Sequence, residues 1–231
     1  MGHVVEFPVR LPEADVFAHE DLARLFGIWR QEVRMNGSLP RLHAFAPRQL
    51  GSLMSFSAIV EMREEGDDKA QWMPSAVVWD DHAVDMRWRL AGSGLCRLAG
   101  EELAGRPVFD DWQRFERATL RRLMHQALTA EQAFMARLRL DALSAVHMDD
   151  HMEMLALPLR DGKECGNVVL LAFGTAVDMH MIVPQALRSA RLTSLRTLTS
   201  VLPEAHAAGA AAGDAMHPAV VLPLFERRKP A

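Results

Sequence analysis

An α+β domain, an antiparallel sheet flanked by helices, is the fold class the sequence predicts, and three observations predict it. Asp85–Leu90 alternates, with Met86, Trp88 and Leu90 facing one way and Asp85, Arg87 and Arg89 the other, the period of a strand with one buried face. Gly92-Ser93-Gly94 then breaks the strand, and short helical turns follow that stop at Gly100 and at Gly105-Arg106. A longer helix over 113–128 precedes three extended stretches, the last two joined through Asp161-Gly162-Lys163. Asp-Gly between apolar runs is a strong hairpin signal.

With 231 residues, the chain has room for one domain of about 150 residues plus extensions. Hydrophobic residues at 49% and charged ones at 24% are enough for a sizeable core. A formal charge of −4 argues against a dedicated nucleic-acid binder, which is normally basic. The opening Met1-Gly2-His3-Val4-Val5-Glu6 lacks the basic and apolar regions of a signal peptide, and no apolar run approaches the roughly 20 residues of a membrane helix. A cytoplasmic protein without membrane contact is therefore expected. Cys96 and Cys165 lie far apart without a CxxC spacing, so free thiols are expected.

Taken in order, residues 1–18 carry Pro8 and Pro12 and read as an extended leader. From Asp21 to Arg34 the spacing is helical, with Leu22, Leu25, Phe26, Trp29 and Val33 on one stripe. Asn36-Gly37 is a natural stop, since glycine tolerates the left-handed cap. Phe56–Met62 reads as a first strand, Arg63–Lys69 as a charged turn, and Met73–Trp79 as a further strand. In the 113–128 helix Leu120, Leu123, Met124, Ala127 and Leu128 form the apolar stripe, with Arg117, Arg121 and Arg122 mostly outside it. Phe134–Leu143, His151–Arg160 and Asn167–Ala176 are the three strands that follow. Pro158, which has no N–H to donate, predicts an edge or a bulge. Residues 185–202 carry Leu187, Leu192, Leu195, Leu198 and Leu202 with Arg188, Arg191 and Arg196, and read as an amphipathic helix. Ala205–Ala215 is Ala/Gly-rich, the composition of a flexible linker.

Two segments together resemble the PAS fold, in particular a bacterial family of small stand-alone PAS-like proteins. They are Arg87-Trp88-Arg89-Leu90-Ala91-Gly92-Ser93 and Gly100-Glu101-Glu102-Leu103-Ala104-Gly105, with Ser93 and Ala104 standing where that family has Thr. Leu39-Pro40-Arg41, Pro47-Arg48-Gln49-Leu50 and the Leu157-Pro158-Leu159 turn segment fit the same family, and a helix followed by three strands resembles the second half of a PAS fold. The resemblance divides the chain into a leader and helix at 1–50, a PAS-like domain at 51–177, a helical extension at 178–204 and a flexible tail at 205–231. It implies a non-enzymatic sensory or protein-interaction module in signal transduction, acting through a partner protein, with no cofactor. A small apolar ligand in the cavity is a further expectation, and Trp88, Leu95, Phe115, Met124 and Phe134 are the residues expected to line it. A homodimer through the exposed stripe of the first helix is also expected.

The residues with chemistry of their own offer one alternative. His147, Asp149 and His151, in a run that also holds Met148 and Asp150, have metal-ligand character and would belong to a metal-dependent enzyme. His125 lies on the helix that carries the axial histidine in haem-binding PAS sensors, but its helical phase puts it off the apolar stripe. Cys96-Arg97 lacks the flanking Asn and the Phe-Leu-Gln of flavin-binding PAS photosensors, and the chain has no Tyr for a photoactive-yellow-type pocket. No nucleophile elbow, P-loop or dinucleotide glycine fingerprint is present. Arg188, Arg191 and Arg196 read as a solvated helix face.

Overall fold

The computed structural model describes residues 17–44, 47–63, 85–140, 151–161, 167–175, 182 and 184–198. Among them, helix α1 (Glu20–Asn36) and the short α2 (Pro47–Leu50) precede strand β1 (Ser57–Arg63). Strand β2 (Asp85–Ala91), helices α3 (Ser93–Ala99) and α4 (Arg114–Ala130), and strands β3 (Ala133–Leu140), β4 (His151–Arg160), β5 (Asn167–Thr175) and β6 (Ala190–Leu198) follow. The strands form one antiparallel sheet in the order β2-β1-β5-β4-β3-β6, so the first strand sits between β2 and β5 and the last is added outside β3. The predicted fold class is the observed one.

Alternation along the central strands sends apolar side chains to both faces, because both are covered. On β5, Val169, Leu171 and Phe173 point to one face while Val168, Leu170 and Ala172 point to the other. The first face packs against α3 and α4 with Leu95, Leu98, Leu120 and Met124, and the second against α1 with Leu22, Leu25, Phe26 and Trp29. Strands buried on both sides read as near-continuous apolar runs, as Met154–Leu159 does.

α1 ends where its sequence says it should: Gly37 adopts φ 61° and donates its N–H to the Val33 carbonyl. Its start is anchored from outside, since His19 at the N-cap makes no side-chain cap. The buried carboxylate of Glu153 on β4 accepts the Ala18 N–H at 2.9 and 3.0 Å and the His19 N–H at 3.1 Å, and also takes the Arg137 guanidinium at 3.2 Å. Nearby, the Ser52 hydroxyl donates to Asp21 and holds that carboxyl below its usual range, with Arg24 adding to the effect. Glu153→Ala leaves Arg137 without this partner and unpairs two backbone donors. It should cost about 3 kcal/mol in urea melts, the low end for a broken buried pair because the Arg137 side chain is 32% exposed. A loss below 0.5 kcal/mol would show that α1 is held by its apolar stripe alone, since surface changes fall within about that range.

The apolar stripe of α1 is not an exposed dimer face. Leu22, Leu25 and Trp29 are fully buried against the chain's own sheet, so the basis for self-association through this helix is withdrawn. Trp29 also resolves the expectation about Pro158. Pro158 lies in an interior strand, opposite Val169 of β5, but β3 pairs with β4 only as far as Ala156. Past that point no ladder bond is lost through the missing N–H, and the Pro158 carbonyl accepts the Trp29 indole N–H at 2.9 Å. The Pro40-Arg41 segment then runs beside β4, its Pro40 carbonyl taking the Arg160 N–H.

Two other readings are corrected, each by a bulge. The helix expected within 178–204 is, from Ala186, a 3-10 turn (Ala186–Ser189) leading into β6. Arg137 pairs with Ser194 and Leu138 with Leu192, leaving Thr193 as an extra residue whose hydroxyl bonds the Arg137 carbonyl. The extra residue moves the next inward position from three-apart Leu192 to Leu195, a spacing that imitates a helix, while Leu198 faces the α1 side. On β2 the register shifts between Ile59 and Val60 of its partner, which turns Leu90 away from Met86 and Trp88 and leaves it 59% exposed. The turn over 64–69, the strand expected over Met73–Trp79, the hairpin turn at Gly162-Lys163, Cys165 and the tail over 205–231 lie outside the described residues.

Candidate functional site

Four of the five residues expected to line a cavity come together in the layer between the sheet and α3/α4. Trp88, Leu95, Met124 and Phe134 belong to one apolar cluster, none more than 3% exposed, and pack as core. Phe115 does not join them: it lies on the outer side of α4 at 61% exposure, because the inward positions of the first two turns fall to Glu116 and Leu120. Glu116 is itself buried and accepts the Leu192 N–H at 3.2 Å, tying α4 to β6.

The junction that places Trp88 above α3 depends on Gly92. A side-chain carbon there would run into the backbone carbonyls of Met54 and Ser55, so β2 can turn into α3 this close to the Gly51–Phe56 turn only with glycine.

The concave feature lies at the β2 edge. After Gly105 the chain runs back along β2: Gly105 donates to the Trp88 carbonyl, Trp88 to the Arg106 carbonyl and Val108 to the Met86 carbonyl. This covers the edge of the sheet. Two α4 arginines hold the segment. Arg121 donates twice to the Val108 carbonyl at 2.9 and 3.1 Å, and Arg117 donates to the Asp110 carbonyl at 2.9 Å. Phe109 is held at φ 58°, a left-handed conformation uncommon for a bulky residue. That conformation sets its ring edge-on to Trp88 at 5.3 Å and against Trp112 at 4.6 Å.

The three rings wall a cleft of about 30 Å³ whose rim is charged. Glu101 receives both Arg106 and Arg188, the latter at 3.2 Å, and Arg188 also lies 3.5 Å from Asp111. Leu187 closes the cleft from the β6 side. Phe109, Trp112, Arg106, Glu101 and Asp111 were not singled out from the sequence. The readable signal was two aromatics three apart directly after a Gly-Arg stop. Arg188, expected on a solvated face, instead bridges two acids.

Cys96 is a free thiol, and burial pushes it up from its ordinary value while it donates to Glu102 at 3.5 Å, so it stays protonated and weakly nucleophilic. His125 is half-buried on α4. Of the metal-binding alternative, only His151 is among the described residues, opposite Arg139 at the start of β4. No three His, Cys, Asp or Glu side chains gather as a metal-holding group among the described residues.

An open antiparallel sheet with α3 and α4 on one face and α1 on the other, a strand-to-helix turn at Gly92 and the long α4 ahead of β3–β5 make up a helix-flanked, PAS-like α+β fold. Residues 69–172 match the family model of the PAS domain. The match takes in β2, α3, α4, β3, β4 and most of β5; α1, β1 and β6 lie outside it although they complete the same sheet and its cover. PAS domains are generally signalling modules. No curated protein and no solved structure matches the chain. No helix among the described residues is long and apolar enough to cross a membrane.

Proposed function

We propose that this protein is a non-enzymatic PAS module that signals by binding a cytoplasmic partner protein through its surface rather than by enclosing a small ligand. The observation that carries the reading is the contrast between the two sides of Trp88. Inward, it packs among Leu95, Met124 and Phe134 as close core. Outward, it floors an aromatic-walled, charge-rimmed cleft of about 30 Å³. Pockets that enclose a small molecule run to about 300–1,000 Å³, whereas aromatic and arginine groups on a shallow surface are typical of protein recognition.

A photo-crosslinking residue placed at Asp110 on the cleft rim and, separately, at Phe115 on α4 tests the reading in cells that make the protein naturally. A discrete adduct with one protein, identified by mass spectrometry, is expected. No adduct from either position, with the protein folded and expressed, would overturn it.

A further inference from the structure

We infer that the outer edge of β6 is a strand-docking surface, and that its occupant is this chain's own Ala219–Phe225, laid antiparallel along Ser194–Leu198. The inference is independent of the partner-binding reading, since it concerns the opposite edge of the sheet from the cleft.

Among the described residues β6 pairs only with β3, so its far side is an edge. The other edge strand, β2, is covered by the chain's own 105–108 segment, as edges that would otherwise invite pairing usually are. How much of β6 stands open follows from its hydrogen bonds. The Leu192 N–H points away from β3, since it donates to the buried Glu116 carboxylate at 3.2 Å, and α4 thus closes the edge at that point. Backbone groups alternate between the two sides of a strand, and the extra residue Thr193 shifts that alternation by one. Leu195 and Thr197 therefore turn their N–H and C=O groups outward, and no bond from a described residue reaches them. The open part of the edge is Ser194–Leu198.

The chain continues from Leu198 through residues 199–218 to Ala-Val-Val-Leu-Pro-Leu-Phe at 219–225, a stretch rich in bulky apolar side chains. Its reach is sufficient. A Gly-rich chain the length of 199–218 spans on the order of 25 Å between its ends, against roughly 16 Å for five residues of strand. Its pattern fits as well, because it is apolar at every position rather than at alternate ones. The edge it would join has core on both faces: Leu195 packs on the α4 side and Leu198 on the α1 side. Pro223 sets the register. Proline is tolerated in an outermost strand where its missing N–H would face solvent, which turns Val220, Leu222 and Leu224 toward β6 and Val221 and Phe225 away. A second copy fits the edge less well. With α4 closing the Leu192 end, two β6 strands related by a two-fold axis centre on Arg196, setting that guanidinium opposite its own copy.

The test is amide hydrogen exchange of the full chain, followed residue by residue by NMR. The amides of Leu195, Thr197, Val220, Leu222 and Leu224 are expected to exchange about tenfold or more slowly than those of Val221 and Phe225, because only the first group is paired across the new ladder. Leu222→Asp/Leu224→Asp should return all five to open-chain rates while the amides of β3, β4 and β5 keep theirs. Val221→Pro should leave the protection of Leu195 and Thr197 in place, whereas Leu222→Pro, which removes an inward N–H, should abolish it. Open-chain exchange at Leu195 and Thr197 in the intact protein overturns the proposal. So does protection that survives Leu222→Asp/Leu224→Asp, which would mean that another segment covers the edge. Protection that falls on dilution together with the mass from light scattering would assign the edge to a second copy and likewise overturn it. Equal effects of the two proline substitutions would overturn the register and the docked strand with it.

Discussion

Trp29→Ala is expected to cost about 3–5 kcal/mol, the usual loss for truncating a buried aromatic, with about 1–3 kcal/mol more for the carbonyl it leaves unpaired. Trp29 is fully buried between α1 and the sheet, stacks with Phe26 at 6.0 Å, and is the group that satisfies Pro158 where β3 has ended. Trp29→Phe separates the two contributions: it keeps most of the packing and should lose about 1–3 kcal/mol for the orphaned carbonyl. Urea melts of the two variants measure both. Light scattering on Trp29→Glu distinguishes burial within the chain from burial between copies. The variant should unfold, whereas a folded monomer formed from a larger species would mean that the helix is an interface after all.

Trp88→Ala should cost a comparable 3–5 kcal/mol in denaturant melts. The ring is 2% exposed and touches both the inner core and Phe109, whose edge-on contact adds about 0.5–1.5 kcal/mol beyond area burial. Phe109 is the strained residue of the cleft, so removing the ring that holds it should also loosen the 105–112 segment, read as faster amide exchange at Gly105 and Val108. A loss under 1 kcal/mol would contradict the burial of Trp88 on both sides.

The sequence made the order of elements legible because each carried a local signal: the alternation through Trp88, the apolar stripes of α1 and α4, the stop at Gly37. The places it misread were those where the signal depends on a neighbour. Leu90 keeps the phase of Met86 and Trp88 along the chain, and only the shifted pairing with Ile59 and Val60 turns it outward. Leu192 and Leu195 are three apart because Thr193 bulges against β3, which no single-segment periodicity reveals. Pro158 warned of an edge and sits in an interior strand, because what matters is where β3 stops rather than where β4 lies in the sheet. Phe115, expected in the cavity lining, points outward, whereas the inward place in that turn belongs to Glu116, whose role depends on the distant Leu192 N–H. The cleft was hidden for the same reason: its rim joins Glu101, Asp111 and Arg188, residues brought together only when β6 pairs with β3.

The position of β1 sets a timetable for the chain as it is made. Ser57 of β1 pairs with Ala172 of β5, and the stripe of α1 rests on β4 and β5 as well. The stripe of α1 and the β5 edge of β1 therefore wait for their partners while more than a hundred further residues are added. At about 5–20 residues per second, that is a delay on the order of ten seconds. For that interval Leu22, Leu25, Phe26 and Trp29 stand on a nascent helix with nothing to cover them, the kind of surface to which chaperones bind. Products released before β5 emerges would carry that stripe permanently and would be cleared or aggregate, whereas a chain halted just after Thr175 already holds every strand that α1 and β1 require except β6.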